Sequence, residues 1–237
     1  RIPDVRPNNT LFDGLFEIPT LAEIIQLVRG YEQLMGREIG IYPETKHPSH
    51  FQKMGLAMEK PLVDILHGAG YHGPDAPIYI QSFEISNLKA IRKLTDLPLI
   101  QLLHHEGQPE DVVIAGGNTR YDDMATESGL NEIARYADGV GPEKYHFIIP
   151  KDSAGNIKAE YTTQFVTHAH QAGLKVHPYT FRGENQFLPN NLQIPKDGKA
   201  GERQIEEIIL FLSAGIDGFF VDQSDLGLEA KRRFLAQ

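Results

Sequence analysis

One short segment of the sequence places an acid and a base at a spacing that suits chemistry. Glu44 and Lys46 are two residues apart in the segment Ile41-Tyr42-Pro43-Glu44-Thr45-Lys46. On an extended backbone, side chains two residues apart project to the same face. A carboxylate beside an ammonium group suits a hard cation next to a phosphate oxygen, because Ca²⁺ and Mg²⁺ prefer oxygen ligands. An ion pair that only plugs the end of a strand has the same spacing, so the motif alone leaves both interpretations open.

Further polar side chains follow the other short apolar runs of the chain. They are Gln81 and Glu84; His104, His105 and Glu106; Glu143, Tyr145 and His146; His177, Tyr179 and Arg182; and Asp222, Gln223 and Asp225. His177 ends its run, and a histidine there fits a proton donor, a phosphate partner or a hydrogen-bonded wall residue. No serine lies in a Gly-x-Ser-x-Gly pattern and the chain has no cysteine, which argues against a Ser-His-Asp hydrolase and excludes thiolate chemistry.

The elements that position these residues alternate between short apolar runs and helical patterns. Six runs predict buried strands, at 38–43, 77–81, 97–103, 138–142, 174–179 and 218–221. Thr20 and Glu23 predict a capping box at the start of a leading helix, and Gly36 predicts its end. Ser86 is predicted to cap a later helix. This alternation predicts βαβ units, with a parallel sheet and helices outside it.

The pattern favours an α/β protein of the (β/α)₈ TIM-barrel class, with about six of the eight units in this chain. The 237 residues are predicted to form a single domain over 1–237. An open doubly wound sheet is the alternative, but no Gly-x-Gly-x-x-Gly turn follows the first strand to hold a dinucleotide. Polar groups after barrel strands meet at the mouth, where barrel enzymes keep their sites.

The charge of the chain argues against nucleic acid as a partner, and its hydropathy argues against a membrane span. The formal charge of -9 argues against a nucleic-acid surface, which needs clustered lysine and arginine. No apolar run approaches the roughly 18 residues of a membrane span, so no membrane span is predicted. The oligomeric state does not follow from the sequence.

Six segments of the chain together resemble one enzyme family. They are Phe16-Glu17-Ile18-Pro19-Thr20-Leu21-Ala22-Glu23, Ile39 to Lys46, Ile80-Gln81-Ser82-Phe83, Ala137 to Pro142, Val176-His177-Pro178-Tyr179-Thr180-Phe181-Arg182 and Gly215 to Asp222. Their order and spacing resemble those of glycerophosphodiester phosphodiesterases, most of all the long bacterial periplasmic type. The resemblance covers nearly the whole chain.

The resemblance implies a barrel that hydrolyses a small-molecule glycerophosphodiester, such as glycerophosphocholine, to glycerol 3-phosphate and an alcohol. It implies a divalent metal, Ca²⁺ or Mg²⁺, with Glu44 as a ligand and Lys46 on the phosphate. The substrate-binding residues it implies are Lys46, Gln81, Phe83, His177, Tyr179 and Arg182. It also implies a periplasmic or secreted protein.

The chain departs from the family at the residues that perform acid–base chemistry. The family has a strand with His-Arg-Gly, then a Glu-x-Asp pair of metal ligands and a second histidine, whereas this chain has no histidine before His47. We therefore expect that the N-terminal catalytic segment is absent, that no catalytic residue lies in this chain and that the chain alone is inactive. Two alternatives remain: a barrel glycosidase that pairs Glu44 with Glu84 or Glu143, and a non-catalytic barrel that binds phosphate esters through Lys46 and Arg182.

Two long segments between predicted elements are candidates for a lid or a specificity loop. They span residues 182–202 and, more weakly, 107–124, and both are longer than ordinary connections. A surface excursion without a functional role has the same sequence character.

Overall fold

The computed structural model describes residues 3–194 and 200–237 and divides into two compact units, Arg1–Ile41 and Tyr42–Gln237. The first unit contains a 3₁₀ helix, Pro7–Phe12, and helix α1, Leu21–Met35. The predicted capping box is confirmed: the Thr20 backbone N–H donates to the Glu23 carboxylate at 2.7 Å, and the Glu23 N–H donates to Thr20 Oγ1 at 3.3 Å. Gly36 ends the helix with a φ of 62°, a left-handed conformation that glycine adopts without strain. A single domain over 1–237 stays a prediction.

The second unit is built on a parallel sheet of four strands in the order β1-β2-β3-β4. The strands are β1 (Ile80–Ser82), β2 (Leu99–Leu103), β3 (Gly139–Pro142) and β4 (Lys175–Val176). Sequential order with parallel pairing is what successive βαβ units produce. Every residue of β1, β2 and β3 is buried.

The structure differs from the prediction at the two outer runs, which pair through single bridges rather than as strands. Glu44 bridges to Gln81 at one edge, and Val221 bridges to Phe181 at the other. At the first edge the Gln81 N–H donates to the Pro43 carbonyl at 2.9 Å, and the Thr45 N–H donates to the Gln81 carbonyl at 3.1 Å. Proline has no N–H to extend a ladder, so the pairing stays short.

Ten helices follow α1 in the described part of the second unit. They are α2 (Pro48–Lys53), α3 (Glu59–Gly68), α4 (Ile85–Arg92), α5 (Glu110–Ile114), α6 (Tyr121–Met124), α7 (Glu127–Ile133), α8 (Lys144–Phe147), α9 (Phe165–Gln171), α10 (Ala200–Ser213) and α11 (Ser224–Leu235). No helix in the described residues is both long and apolar enough to cross a membrane.

The predicted cap at Ser86 is wrong, because α4 begins at Ile85 and its N-cap is Glu84, two residues earlier. The Ser86 N–H instead donates to the Asp111 carboxylate at 2.6 Å, and the local sequence does not predict a contact between residues so far apart in the chain. The predicted loop at 182–202 contains two 3₁₀ turns, Asn185–Phe187 and Asn190–Leu192, and its residues 195–199 lie outside the described residues.

The core lies between the sheet and the apolar faces of the helices. Leu88 and Ile91 of α4 and Leu130 of α7 are fully buried. Gly141 permits a close approach inside the sheet, since a Cβ there would lie 2.6 Å from Leu102 Cδ2. Burial on this scale fixes the strands, and with them the residues that follow each strand.

Candidate active site

The Glu44–Lys46 pair lies at the carboxyl end of the sheet, next to Gln81 of β1. The Glu44 carboxylate and the Lys46 ammonium are 4.0 Å apart, with 23% of the Glu44 side chain and 73% of the Lys46 side chain exposed. This distance is at the limit of an ion pair, and so much exposure leaves the ammonium group open to solvent. The pair therefore does not act as a plug.

Burial raises the pKa of Glu44, and the positive charges of Lys46 and His47 lower it part of the way back. Desolvation disfavours the charged carboxylate, so a cation placed beside it would gain the interaction that water no longer provides. The electrostatics at Glu44 thus favour a positively charged ligand.

A central cavity of about 220 Å³ brings together five of the residues that the resemblance implied. Its lining is Glu44, Lys46, Gln81, Phe83, Leu102, Tyr179, Thr180 and Phe220. Gln81 is buried, and its Oε1 has no hydrogen-bond partner among residues 3–194 and 200–237. A buried carbonyl oxygen without a partner is costly unless a ligand satisfies it.

Two aromatic rings form one wall of the central cavity. The rings of Phe83 and Tyr179 lie edge to face with their centroids 6.1 Å apart, and the Tyr179 hydroxyl donates to the Leu103 carbonyl at 3.0 Å. Burial raises the pKa of Tyr179, so this hydroxyl stays protonated as a fixed donor. The wall presents an apolar surface held by a satisfied polar group.

The other two implied residues lie apart from the central cavity. His177 is buried, shares a hydrogen bond of 2.9 Å with the Tyr42 hydroxyl, and packs edge-on to Tyr79. Burial lowers the pKa of His177 to about 4, so its ring is neutral at pH 7. Arg182 pairs with Asp222 at 3.1 Å. The substrate-binding roles of His177 and Arg182 stay predictions to which the central cavity adds no support.

An acidic cavity of about 410 Å³ adjoins the central one and shares Glu44, Lys46 and Phe83 with it. Its full lining is Glu44, Thr45, Lys46, His47, Pro48, Phe83, Glu84, His104, Glu106, Gly107, Gln108, Glu110 and Tyr121. Sequence reasoning named Glu84, His104 and Glu106 as residues after strands but missed Glu110 and Tyr121. Both lie in the segment 107–124, whose length was the available signal.

A basic cavity of about 400 Å³ shares Tyr179 and Thr180 with the central one. Its lining is His104, His105, Glu143, Lys144, Tyr145, Lys151, Tyr179, Thr180, Arg182, Gln186 and Phe187. Lys46 and Arg182, the two phosphate-binding residues of the non-catalytic alternative, thus line different cavities. Glu143, a partner for Glu44 in the glycosidase alternative, is likewise separated from the central cavity.

Among the described residues, one set of side chains with metal donors lies in the central cavity and another directly follows β2. Glu44 is the carboxylate of the central cavity, and Gln81 Oε1 is its unsatisfied oxygen, a set that fits a hard cation held mainly by water and substrate oxygens. His104, His105 and Glu106 have donor atoms within 4.8 Å of one another, but two imidazoles suit transition metals better. The central set is the one that agrees with Ca²⁺ or Mg²⁺.

Comparison with known proteins gives this geometry a family. The model of the glycerophosphoryl diester phosphodiesterase family matches residues 3–226. A glycerophosphodiester phosphodiesterase of Haemophilus influenzae is 30% identical over 236 residues, covering 95% of this chain and 62% of that protein. One from Arabidopsis thaliana is 32% identical over 225 residues, covering 89% of this chain and 55% of that protein. The chain thus spans about three fifths of the length of these relatives.

Solved structures agree with the fold. A structure from Silicibacter pomeroyi, described as a glycerophosphoryl diester phosphodiesterase, superposes with a TM-score of 0.58 at 19% identity, covering 93% of this chain and 57% of that one. One from Agrobacterium tumefaciens with the same description gives 0.51 at 15% identity, with 92% and 66% covered. The predicted TIM-barrel fold is confirmed. Since the family model spans nearly all of the chain, this chain belongs to the glycerophosphoryl diester phosphodiesterase family.

Proposed function

We propose that the full-length protein hydrolyses glycerophosphodiesters to glycerol 3-phosphate and an alcohol, with the help of a divalent metal. The observation that carries the proposal is the central cavity, which is lined by Glu44, Lys46 and Gln81, whose buried Oε1 has no hydrogen-bond partner among the described residues. In this reaction a water oxygen bonds to phosphorus and the bond from phosphorus to the alcohol oxygen breaks. The alcohol takes up a proton and leaves.

Lys46 is the group that we assign to the phosphate. Its side chain is 73% exposed, and its nearest carboxylate is 4.0 Å away, so turning toward an anion breaks no tight contact. An ammonium group beside the phosphoryl oxygens stabilises the negative charge that they carry.

Glu44 and Gln81 would hold the divalent metal, Ca²⁺ or Mg²⁺. When bound, the metal supplies positive charge that stabilises the phosphoryl oxygens. One carboxylate and one amide oxygen are few ligands for a hard cation, so we expect these two side chains alone to bind it weakly. The raised pKa of Glu44 agrees with a carboxylate prepared for a cation.

The glycerol part of the substrate is assigned to the aromatic wall of the central cavity. Phe83, Tyr179 and Phe220 line this cavity and offer apolar ring surfaces to the carbon atoms of glycerol. The binding role proposed for Phe83 and Tyr179 is therefore to orient one ester arm while Lys46 holds the phosphate.

We further propose that the 237-residue chain alone is inactive. No histidine lines the central cavity among the described residues, and His177, which lies apart from it, is buried and neutral. His47 and His104 line the adjoining acidic cavity, and His104 also lines the basic one. Efficient departure of an alcohol needs a positioned acid.

The alternatives are less well supported: Glu143 and Arg182 line the basic cavity. Glu84 shares the acidic cavity with Glu44, but its carboxylate already accepts hydrogen bonds from the Ser49 backbone and hydroxyl.

The direct test is hydrolysis of glycerophosphocholine by the full-length protein, with the products identified by mass. We expect glycerol 3-phosphate and choline, loss of activity with a chelator, and recovery on addition of Ca²⁺ or Mg²⁺. Glu44→Gln is expected to raise the metal concentration needed for half-maximal activity by about tenfold or more. Loss of a side chain that holds or orients a metal ion weakens metal affinity by factors of that size.

The matched control is Glu127→Gln, since Glu127 is an exposed carboxylate of α7 that lines none of the three cavities. Its metal dependence should equal that of the unaltered protein. Full activity in chelator would exclude the metal, and production of glycerol with phosphocholine would exclude the proposed bond cleavage.

A periplasmic or secreted location is proposed on the family resemblance alone. Fractionation of cells that express the full-length protein tests it. Activity confined to the cytoplasmic fraction would contradict this location.

A further inference from the structure

The acidic cavity is continuous with the proposed reaction centre but differs from it in charge. Glu44 and Lys46 line both cavities, so a phosphate held there has one ester arm in each. The central cavity has Glu44 as its acid, whereas the acidic cavity adds Glu84, Glu106 and Glu110. Lys46 is the lysine that lines the acidic cavity, and it lies at the end where the phosphate would be held.

Glu84 is the buried member of this group. It is 2% exposed, and its Oε2 accepts from the Ser49 N–H at 3.1 Å and from the Ser49 hydroxyl. Its Oε1 is buried with no hydrogen-bond partner within the described parts of the chain. Such an oxygen at a cavity wall is satisfied at lowest cost by a positively charged ligand.

The acidic cavity also has an aromatic part in its wall. Phe83 lies edge to face with Tyr121 at a centroid distance of 6.1 Å and with His104 at 6.3 Å. The Tyr121 and His104 rings are 6.4 Å apart. The Phe83 and Tyr121 rings beside carboxylates form a setting in which proteins bind quaternary ammonium groups, because the faces of these rings are electron-rich.

We propose that the acidic cavity is the subsite for the alcohol arm of the diester, and that it selects alcohols carrying an ammonium group over neutral ones. This inference rests on the proposed function, since it needs a phosphodiester held at Glu44 and Lys46. The ammonium group lies against the Phe83 and Tyr121 rings with Glu84 and Glu110 as counter-charges. The basic cavity suits this role less, because Lys144, Lys151 and Arg182 outnumber Glu143, the carboxylate in its lining.

A pair of substrates with the same shape separates charge from size. One is glycerophosphocholine, and the other is its analogue with 3,3-dimethylbutanol, in which a neutral carbon replaces the quaternary nitrogen. For the full-length protein we expect kcat/KM to favour the choline ester by about tenfold at low salt, as cation–π contact with nearby carboxylates predicts. Added salt should reduce the ratio, because exposed Glu106 and Glu110 contribute through solvent.

Two variants and a control assign the selectivity to the cavity. Glu84→Gln and the double change Glu106→Gln with Glu110→Gln should each lower the ratio to about threefold or less, and the second alters only exposed residues, which keeps folding intact. Asp75→Asn removes one exposed carboxylate at the amino end of the sheet and should leave the ratio at its original value. A ratio near one in the unaltered protein, or an unchanged ratio in both cavity variants, overturns the subsite while leaving the proposed function intact. No hydrolysis of either ester overturns the proposed function, and the subsite with it.

Discussion

Two lysine–glutamate pairs in this protein share the same residue types and differ in every physical respect. Glu44 and Lys46 are 4.0 Å apart with 23% and 73% of their side chains exposed. Lys144 and Glu207 are 2.7 Å apart with 4% and 0% exposed. The loose pair borders two cavities and keeps its charges open to a ligand, whereas the tight pair is almost fully buried and its charges contact each other. Residue type alone therefore does not distinguish a functional pair from a structural one.

The surroundings of the buried pair explain its tightness. The Lys144 ammonium lies 4.1 Å from the Phe181 ring centroid and 4.4 Å from that of Tyr145, and the Tyr145 hydroxyl donates to Glu207. Burial lowers the pKa of Lys144, and the Glu207 charge opposes that change. The pair links α8 to α10, so its role is to hold two elements together.

The largest effect is expected where the buried pair is broken. Glu207→Ala leaves Lys144 buried without its counter-charge, and the free energy of unfolding should fall by about 3–5 kcal/mol. Urea unfolding of the full-length protein measures it. Glu207→Gln keeps an oxygen for Tyr145 and should cost less. A loss below about 1 kcal/mol in Glu207→Ala would erase the contrast between the two pairs.

His177 extends the comparison to a buried group without a counter-charge in contact. Its folded pKa of about 4 lies below the ordinary 6.5, so the unfolded chain binds the proton more tightly. The stabilisation that neutral His177 contributes to the fold is therefore complete above pH 6.5. It is lost as the pH falls toward 4, which lowers the free energy of unfolding by about 2–3 kcal/mol.

The difference in unfolding free energy between the unaltered protein and His177→Gln isolates this contribution. Burial raises the pKa of Glu44 and Glu84, which acts in the opposite direction but is common to both proteins. Identical pH profiles for the two proteins would show that His177 carries no such penalty.

Removing the exposed lysine should have the opposite signature from breaking the buried pair. Lys46→Ala is expected to lower kcat/KM for glycerophosphocholine by about 10- to 100-fold, because a charged contact to phosphate is lost. Its unfolding free energy should change by less than about 0.5 kcal/mol. Parallel hydrolysis and urea measurements test both parts. A large loss of stability with unchanged kcat/KM would reassign Lys46 to a structural role.

The smallest effect is expected at a pair of intermediate exposure. Arg182 and Asp222 are 3.1 Å apart with 38% and 26% of their side chains exposed. Arg182→Ala should cost about 0.5–1 kcal/mol of stability, the range of partly exposed ion pairs. Thermal unfolding measures it. A cost as large as that of Glu207→Ala would mean that the exposure of an ion pair does not determine how much it contributes to stability.

The sequence predicts features that are local or follow from strand order. The capping box at Thr20 and the stop at Gly36 each depend on a few adjacent residues, and both are confirmed. Gln81 and Tyr179 reach one cavity because each lies at the carboxyl end of a parallel strand or strand-like run, and such ends meet at one edge. Their roles toward the substrate stay predictions.

What the sequence does not predict depends on partners far along the chain. Lys144 and Glu207 are 63 positions apart, and no spacing rule links them. The outer runs were predicted as full strands, but single bridges such as Glu44 to Gln81 form where pairing has a neighbour on one side. Tyr121 joins the acidic cavity as the first residue of α6, and composition cannot specify where the segment 107–124 places this short helix.

The central claim is that the Glu44–Lys46 pair serves chemistry rather than the fold. The most direct measurement is Glu44→Gln in the full-length protein, with kcat/KM at the metal concentration that half-saturates the unaltered protein and the unfolding free energy determined on one preparation. We predict a fall in kcat/KM of about fivefold or more, as a roughly tenfold weaker metal affinity gives at that concentration, with stability within about 0.5 kcal/mol. Unchanged kcat/KM, or a loss of several kcal/mol in stability, would contradict the account.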